Sequence, residues 1–348
     1  MRCSFEYARP ASLREVTSIL LEGGGRAAVL AGGTDLLPRL KRGQARIDVA
    51  VDLRGIEQLR HIDAEPDALR IGALVTPAEI AGHALVGRRL AAISEAASVV
   101  GAVQIRGMAT VGGALAYGLR CQYHDQSAFW RRANGPCPRG SEARCHAEAG
   151  RACVATHACD LPPALLAMGA LVEVHGPDGS RAVPVEELYT GDGLRPTTLG
   201  PGEVICGVRI PWPAQDHLST YAKLRVRKAV DRPLLGLAIA GLLAADLRVR
   251  GLRIGVVGVG PAVSLVPGLA DFDGVRLDSP AIAEVARLAA EWLRPSPALR
   301  VDPAWRRAMG RTLVERGLEA LVRRAAARPT RLPGRVARET DEFSAGFF

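Results

Sequence analysis

Four cysteines, Cys121, Cys137, Cys145 and Cys153, are spaced 16, 8 and 8 residues apart in an arginine-rich stretch. With Cys159 they make five of the chain's seven cysteines. Thiols crowded into one loop of a 348-residue chain point to metal ligation or thiol chemistry. A disulfide framework belongs instead to short secreted domains. Four thiolates satisfy a 4Fe-4S cluster or a structural zinc ion, and unligated thiols are the bland reading. Structural zinc sites usually draw ligands as close pairs, and none of these four forms one. The same stretch sets Arg120, Arg131, Arg132, Arg139, Arg144 and Arg151 against Asp125, Glu142 and Glu148. That surplus would offset a negatively charged cluster or face an acidic electron carrier. His124, His146 and His157 fit surface or supporting roles better than ligation, and Cys159 reads as a small buried residue.

A second kind of chemistry is written in two diglycine turns. The first is Val29-Leu30-Ala31-Gly32-Gly33-Thr34-Asp35-Leu36, and the second is Thr110-Val111-Gly112-Gly113. Glycine lets the backbone approach a ligand without a Cβ in the way, and successive N–H groups there form an anion-binding nest. Either turn alone could be an ordinary strand end. A dinucleotide diphosphate needs several N–H and O–H donors, and two Gly-Gly/Thr turns could supply them from both sides. No Walker A pattern occurs. The run Gly255-Val256-Val257-Gly258-Val259-Gly260 has the wrong spacing for a dinucleotide fingerprint and no helix behind it. A dinucleotide site in this chain would not be of Rossmann type.

The elements that must hold these residues can be read in part. Ser12-Leu13-Arg14-Glu15 is a capping box that starts a helix running to Glu22, closed by Gly23-Gly24-Gly25. Residues 26–31, 48–53 and 68–75 read as strands. Thr76-Pro77-Ala78-Glu79 is a second capping box with proline at the first helical position, and a longer helix is expected over residues 88–100. Pro177-Asp178-Gly179 between residues 171–175 and 182–188 signals a hairpin. Beyond Pro211-Trp212-Pro213, strands at 221–227, 234–244 and 248–257 suggest an antiparallel sheet, followed by helices over 280–293 and 303–324. From Pro329 the chain turns polar, with Gly and Pro, as an extended or disordered arm would.

Composition bounds the function. At 48% hydrophobic, the chain can bury a full core and hold two domains. Met1-Arg2-Cys3-Ser4-Phe5-Glu6 leads to no apolar leader region, and the longest apolar run, residues 233–245, is too short for a membrane helix. A cytoplasmic protein is expected, with no membrane contact. The net charge of +9 sits in residues 294–338, where 12 Arg face 3 acidic side chains. A basic tail can mean nucleic acid, but this one lacks interleaved aromatics and follows a helical pattern. A solvated helix face or a docking surface for a partner subunit suits it better, and no nucleic acid is expected.

The run of residues 29–37, then Gln104-Ile105-Arg106 and Ala109-Thr110-Val111-Gly112-Gly113, resembles the FAD-binding subunit of the molybdenum hydroxylases, the family of xanthine dehydrogenase and carbon monoxide dehydrogenase. Asp160-Leu161-Pro162, residues 203–211 and Tyr221-Ala222-Lys223-Leu224-Arg225 extend the likeness over roughly residues 4–325. The resemblance implies an α+β chain: a two-part FAD-binding domain of the PCMH/vanillyl-alcohol-oxidase type, then a smaller domain of antiparallel sheet and helices. It divides the chain into an FAD-binding domain at 1–212 with an insertion at about 119–159, a C-terminal domain at 213–326 and a tail at 327–348. FAD would meet residues 29–36, Val100, Gly101, Thr110, Gly112, Gly113, Asp160, Ile205 and Lys223. Arg106 is followed by Gly107 where many relatives carry Asn. The gap between the second glycine turn and Asp160 is longer than the family's usual one and holds the four cysteines. In this it resembles the beta subunit of 4-hydroxybenzoyl-CoA reductase, whose inserted loop binds an extra 4Fe-4S cluster; that likeness places the ligands on Cys121, Cys137, Cys145 and Cys153.

The resemblance therefore implies an electron-transfer flavoprotein subunit, holding FAD and one 4Fe-4S cluster and acting on no organic substrate itself. Its implied partners are a molybdopterin-binding large subunit, a 2Fe-2S small subunit and ferredoxin or a similar carrier, arranged as a dimer of heterotrimers. The implied reaction is reductive removal of a phenolic hydroxyl from an aromatic acyl-CoA. Rival readings are a hydroxylating molybdenum dehydrogenase with another substrate, a stand-alone flavin reductase of the same fold, and a zinc-stabilised binding module. Iron with acid-labile sulfide would separate the relay from the zinc module.

Overall fold

The computed structural model describes residues 4–328 except residue 229. It is a mixed α+β fold of three sheets. Strands β1 (Glu6–Ala8), β2 (Ala27–Leu30) and β3 (Val49–Asp52) form a small parallel sheet in the order β1-β3-β2. Strands β4 (Ile62–Ala64), β5 (Ala68–Gly72), β6 (Leu171–Gly176), β7 (Gly179–Pro184) and β8 (Val204–Pro211) make an antiparallel sheet in the order β4-β5-β8-β6-β7. The last sheet, β12-β11-β10-β9, is built from β9 (His217–Leu224), β10 (Leu235–Leu243), β11 (Val249–Val257) and β12 (Ser264–Leu265).

Local chemistry fixes several boundaries. Ser12 caps the helix Leu13–Glu22 by accepting from Glu15 N, while the Glu15 carboxylate reaches back to Ala11 N at 2.9 Å instead of to the cap residue. At Thr76 the reciprocal box forms in full, with Glu79 N donating to the hydroxyl at 3.3 Å and Thr76 N to the Glu79 carboxylate at 2.7 Å. The single helix expected over 88–100 is two, Ala84–Arg89 and Ala91–Ser98. Leu90 leaves the helical region (φ −130°, ψ 51°) so that its side chain is fully buried, a tertiary demand that outweighs helix propensity. The strand expected at 182–188 ends at Pro184 and turns into a 3-10 helix, because Val185 and Leu188 bury on one side. The arm expected beyond Pro329 lies outside the described residues.

The cores show how the two halves meet. One large cluster runs from Leu69 and Ile71 of β5 through Ile93, Leu161 and Leu165 to Ala238, Ala240 and Val257 of the last sheet. A second packs the other face of that sheet on the helices Ser279–Trp292 and Pro303–Ala326, through Ile239, Val285, Val314 and Leu318. The last sheet is therefore covered on both faces, and its near-continuous apolar strand β10 is what such burial requires. Gly255 shows how close the approach is: a Cβ there would stand 2.3 Å from the Pro163 carbonyl oxygen. Its glycine serves packing against the helix Leu161–Ala167.

Candidate functional site

The two diglycine turns meet. A Cβ on Gly32 would lie 1.7 Å from the carbonyl oxygen of Met108, just ahead of the second turn. Only glycine admits that approach. Gly33 takes a positive φ of 69°, and the successive N–H groups of Gly32, Gly33, Thr34 and Asp35 make no backbone hydrogen bond among the described residues. Successive free N–H groups are what an anion-binding nest needs. The second turn is different. Thr110 caps the short helix Val111–Leu115 and accepts from Gly113 N at 3.2 Å, while the Gly112 N–H is already given to Ala73 O. Its contribution is shape: a Cβ on Gly112 would stand 3.0 Å from that of Ala73.

Both turns line one cavity of about 880 Å³, near the upper end of the usual size range for small-molecule sites. Val29, Ala31, Gly32, Gly33, Thr34, Asp35, Leu36, Val100, Gly101, Thr110, Gly112, Gly113, Asp160 and Ile205 all border it. Two expected residues do not. Leu30 is buried at the end of β2, beside Gly33, and does not border the cavity. Lys223 is turned into the protein, where it donates to the Asp160 carboxylate and to the carbonyls of Val99 and Asp231, each at 2.9 Å. It acts behind the wall by holding Asp160. Burial raises the Asp160 carboxyl above the ordinary range, and the Lys223 ammonium and Tyr221 hydroxyl oppose that rise.

Several lining residues were not legible in the sequence. The loop after β9 closes one side with Val226, Arg227, Asp231 and Arg232, anchored where Asp231 bridges to Gly101. The Asp231 carboxylate shapes this loop by accepting from the N–H groups of Val226, Arg227 and Arg232. Leu299, Arg300 and Val301 close another side. Tyr117 and Arg120 complete the wall beside the nest. The Arg120 guanidinium lies over the Tyr117 ring at 4.2 Å and pairs with Asp35, while Arg232 donates to the Tyr117 hydroxyl at 2.6 Å. These residues are far apart in sequence and carry no common motif.

Arg120 is also the root of the cysteine loop, paired by its backbone with Thr156 in both directions at 2.8 Å. Cys121 borders the cavity. Cys121 and Cys153 pack with Leu119 and Ala155 in a small apolar patch. Burial pushes the Cys121 thiol up, and nearby Cys145 adds to the rise. Arg139, two residues past Cys137, donates to Leu119 O at 3.2 Å. The loop thus folds its cysteine-bearing segments toward one patch. Among the described residues, no group of three or more His, Cys, Asp or Glu side chains is placed to hold a single metal ion. Thiolates on one zinc, about 2.3 Å from the metal, would lie within roughly 4 Å of each other. Four thiols are the donor set that a 4Fe-4S cluster takes. Cys159 is apart from these: buried beside the cavity, its thiol is pushed up to about 12 by burial and by Asp160. Cys206 is likewise buried, with its thiol pushed up to about 11. His157, fully buried between the rings of Tyr117 and Tyr189, is held down to about 4 by burial and stays neutral.

The arrangement can grip a diphosphate at the nest and enclose a long, partly apolar ligand, with the cysteine loop forming part of the same enclosure. Comparison with known proteins points to an FAD-binding domain. Residues 3–213 match the family described as the FAD binding domain in molybdopterin dehydrogenase. The chain is 28% identical over 323 residues to the carbon monoxide dehydrogenase medium chain of Hydrogenophaga pseudoflava, covering 92% of this chain and 98% of that one. It is 27% identical over 332 residues to the 6-hydroxypseudooxynicotine dehydrogenase complex subunit alpha of Paenarthrobacter nicotinovorans, covering 94% and 97%. Among solved structures, carbon monoxide dehydrogenase from Hydrogenophaga pseudoflava superposes with a TM-score of 0.77 at 26% identity, covering 93% of this chain and 99% of that chain.

Proposed function

Because the chain belongs to the family of FAD-binding domains of molybdopterin dehydrogenases, we propose that the cavity holds FAD and that the cysteine loop beside it holds one 4Fe-4S cluster. The observation that carries this reading is the convergence of both glycine turns, Asp160, Ile205 and Cys121 on a single cavity. In it, the amides of residues 32–35 bind the diphosphate, and Asp160 and Ile205 meet the flavin side of the cofactor. FAD, when bound, exchanges electrons one or two at a time, and the protein supplies binding, orientation and redox tuning. The protein's own contribution is to exclude water with Tyr117, Val226 and Leu299 and to fix the Asp160 wall through Lys223. Cys121, Cys137, Cys145 and Cys153 are the cluster ligands, and Cys159 is not, since it packs in the main core and not in the small patch of the cysteine loop.

The subunit then works with a molybdopterin-binding large subunit and a 2Fe-2S small subunit, as a dimer of heterotrimers in the cytoplasm. No helix among the described residues is long and apolar enough to cross a membrane. The cysteine loop, through its resemblance to the beta subunit of 4-hydroxybenzoyl-CoA reductase, supports reduction of an aromatic acyl-CoA fed by ferredoxin or a similar carrier as the reaction. A second reading, a hydroxylating dehydrogenase with another substrate, is favoured by relatives named for carbon monoxide and 6-hydroxypseudooxynicotine dehydrogenases. Co-expression with the sister subunits tests the core of this. A flavin spectrum with extractable FAD, plus iron and acid-labile sulfide that vanish in Cys137→Ser, is the expected result. Protein free of FAD would overturn it. Assay of the same preparation for reductive dehydroxylation of an aryl-CoA separates the two substrate readings.

A further inference from the structure

Residues 293–302 join the two C-terminal helices without regular secondary structure. Such connections normally run over the surface, yet Pro295, Ser296 and Ala298 are buried. The cause is Arg306, whose side chain is fully buried and forms no ion pair among the described residues. Its guanidinium donates only to backbone carbonyls: Val301 and Gly258 at 3.1 Å, Ser296, and more loosely Leu234 at 3.5 Å. Five fixed donors on a planar group suit this task, and Lys could not reproduce it.

From that seat the strap touches two places at once. Gln122 N donates to Ala298 O at 2.7 Å, Gln122 Nε2 to Pro297 O at 3.1 Å, and Ser296 Oγ to Val154 O at 2.6 Å. Gln122 and Val154 each adjoin a cysteine, Cys121 and Cys153, so the strap grips both roots of the cysteine loop. Its next residues, Leu299, Arg300 and Val301, form part of the cavity wall.

We propose that Arg306 is a positioning residue that seats this strap, and that through the strap, filling the cavity orders the cysteine loop. A ligand that presses on Leu299 to Val301 stabilises the strap, and the strap's bonds to Gln122 and Val154 carry that stabilisation to the loop. Linkage makes the effect reciprocal: an ordered loop tightens binding in the cavity. The inference rests on FAD binding in the cavity, and the digestions compare samples of equal iron content.

Limited trypsin digestion of the full chain, with FAD and after its removal, tests it through cuts at the exposed Arg132, Arg144 and Arg151. In the parent protein, FAD is expected to slow these cuts tenfold or more. In Ser296→Ala and Arg306→Lys, FAD should slow these cuts much less than in the parent protein, while flavin still binds. Ser296→Ala, which removes the side-chain bond to Val154, carries the test if Arg306→Lys does not fold. Cutting that ignores FAD in the parent protein, or full FAD protection that survives in Ser296→Ala, would overturn the proposal. A parent chain that takes up no flavin fails the earlier reading instead, and its spectrum shows this before any digestion.

Discussion

The Lys223 ammonium stands 2.9 Å from the Asp160 carboxylate, and both side chains are almost wholly excluded from water, at 4% and 3% exposure. The pair joins β9 of the C-terminal half to the start of the helix Leu161–Ala167, and the same ammonium reaches the loop at Asp231. Taking one partner away from a buried pair leaves the other charged and unmatched, which typically costs about 3–5 kcal/mol. Lys223→Met should therefore lower stability by about that amount and weaken FAD retention together. Urea unfolding and flavin content measure the two effects. Asp160→Asn added to Lys223→Met should recover part of the stability loss, and a purely additive double mutant would show that the pair is not coupled.

Gly32→Ala should abolish flavin binding, because its Cβ has no room beside the Met108 carbonyl. The Cβ of Gly112→Ala would stand 3.0 Å from the Ala73 methyl and 3.2 Å from its carbonyl oxygen, a tight fit that a small backbone shift relieves, so a weaker loss is expected there. The ratio of flavin absorbance to protein ranks the two. Equal retention in both would mean the turns need not approach as they do here.

The proposed cluster predicts that Cys121→Ser, Cys145→Ser and Cys153→Ser each lose iron, while Cys159→Ala keeps both iron and flavin. Iron and acid-labile sulfide analysis reads this directly. Iron loss in Cys159→Ala alone would shift the ligand set.

Acid stability should report Asp52. Burial would raise its carboxyl, but hydrogen bonds from Arg54 and Tyr7 outweigh that and hold it near about 2. A carboxyl depressed in the folded state stabilises fully above its ordinary value of 3.8, and that stabilisation fades as pH falls through about 2. Arg54 is 47% exposed, and water around it reduces the contribution to about 1–2 kcal/mol. Asp52→Asn should be less stable by that amount at pH 7, and the gap to the parent should shrink below pH 4. A gap that holds constant down to pH 2 would show that the lost bonds do not depend on charge.

The sequence by itself determined the features whose cause is local. Serine and threonine caps, the glycine hairpin at Gly179 and the two diglycine bends follow from residues a few positions apart, so their spacing is already their geometry. It also marked Gly32, Gly112, Asp160 and Ile205 as belonging together, through the family pattern they share. Only the tertiary structure decided that Lys223 works from behind the wall, that Leu90 breaks a helix, and that Tyr117, Arg120, Asp231 and Leu299 close the cavity. None of these has a periodic or spaced signature. Their placement comes from the last sheet packing against the helix Leu161–Ala167 and from Arg306 tying the connection before it to Leu234 and Gly258, contacts between segments that the chain separates by scores of residues.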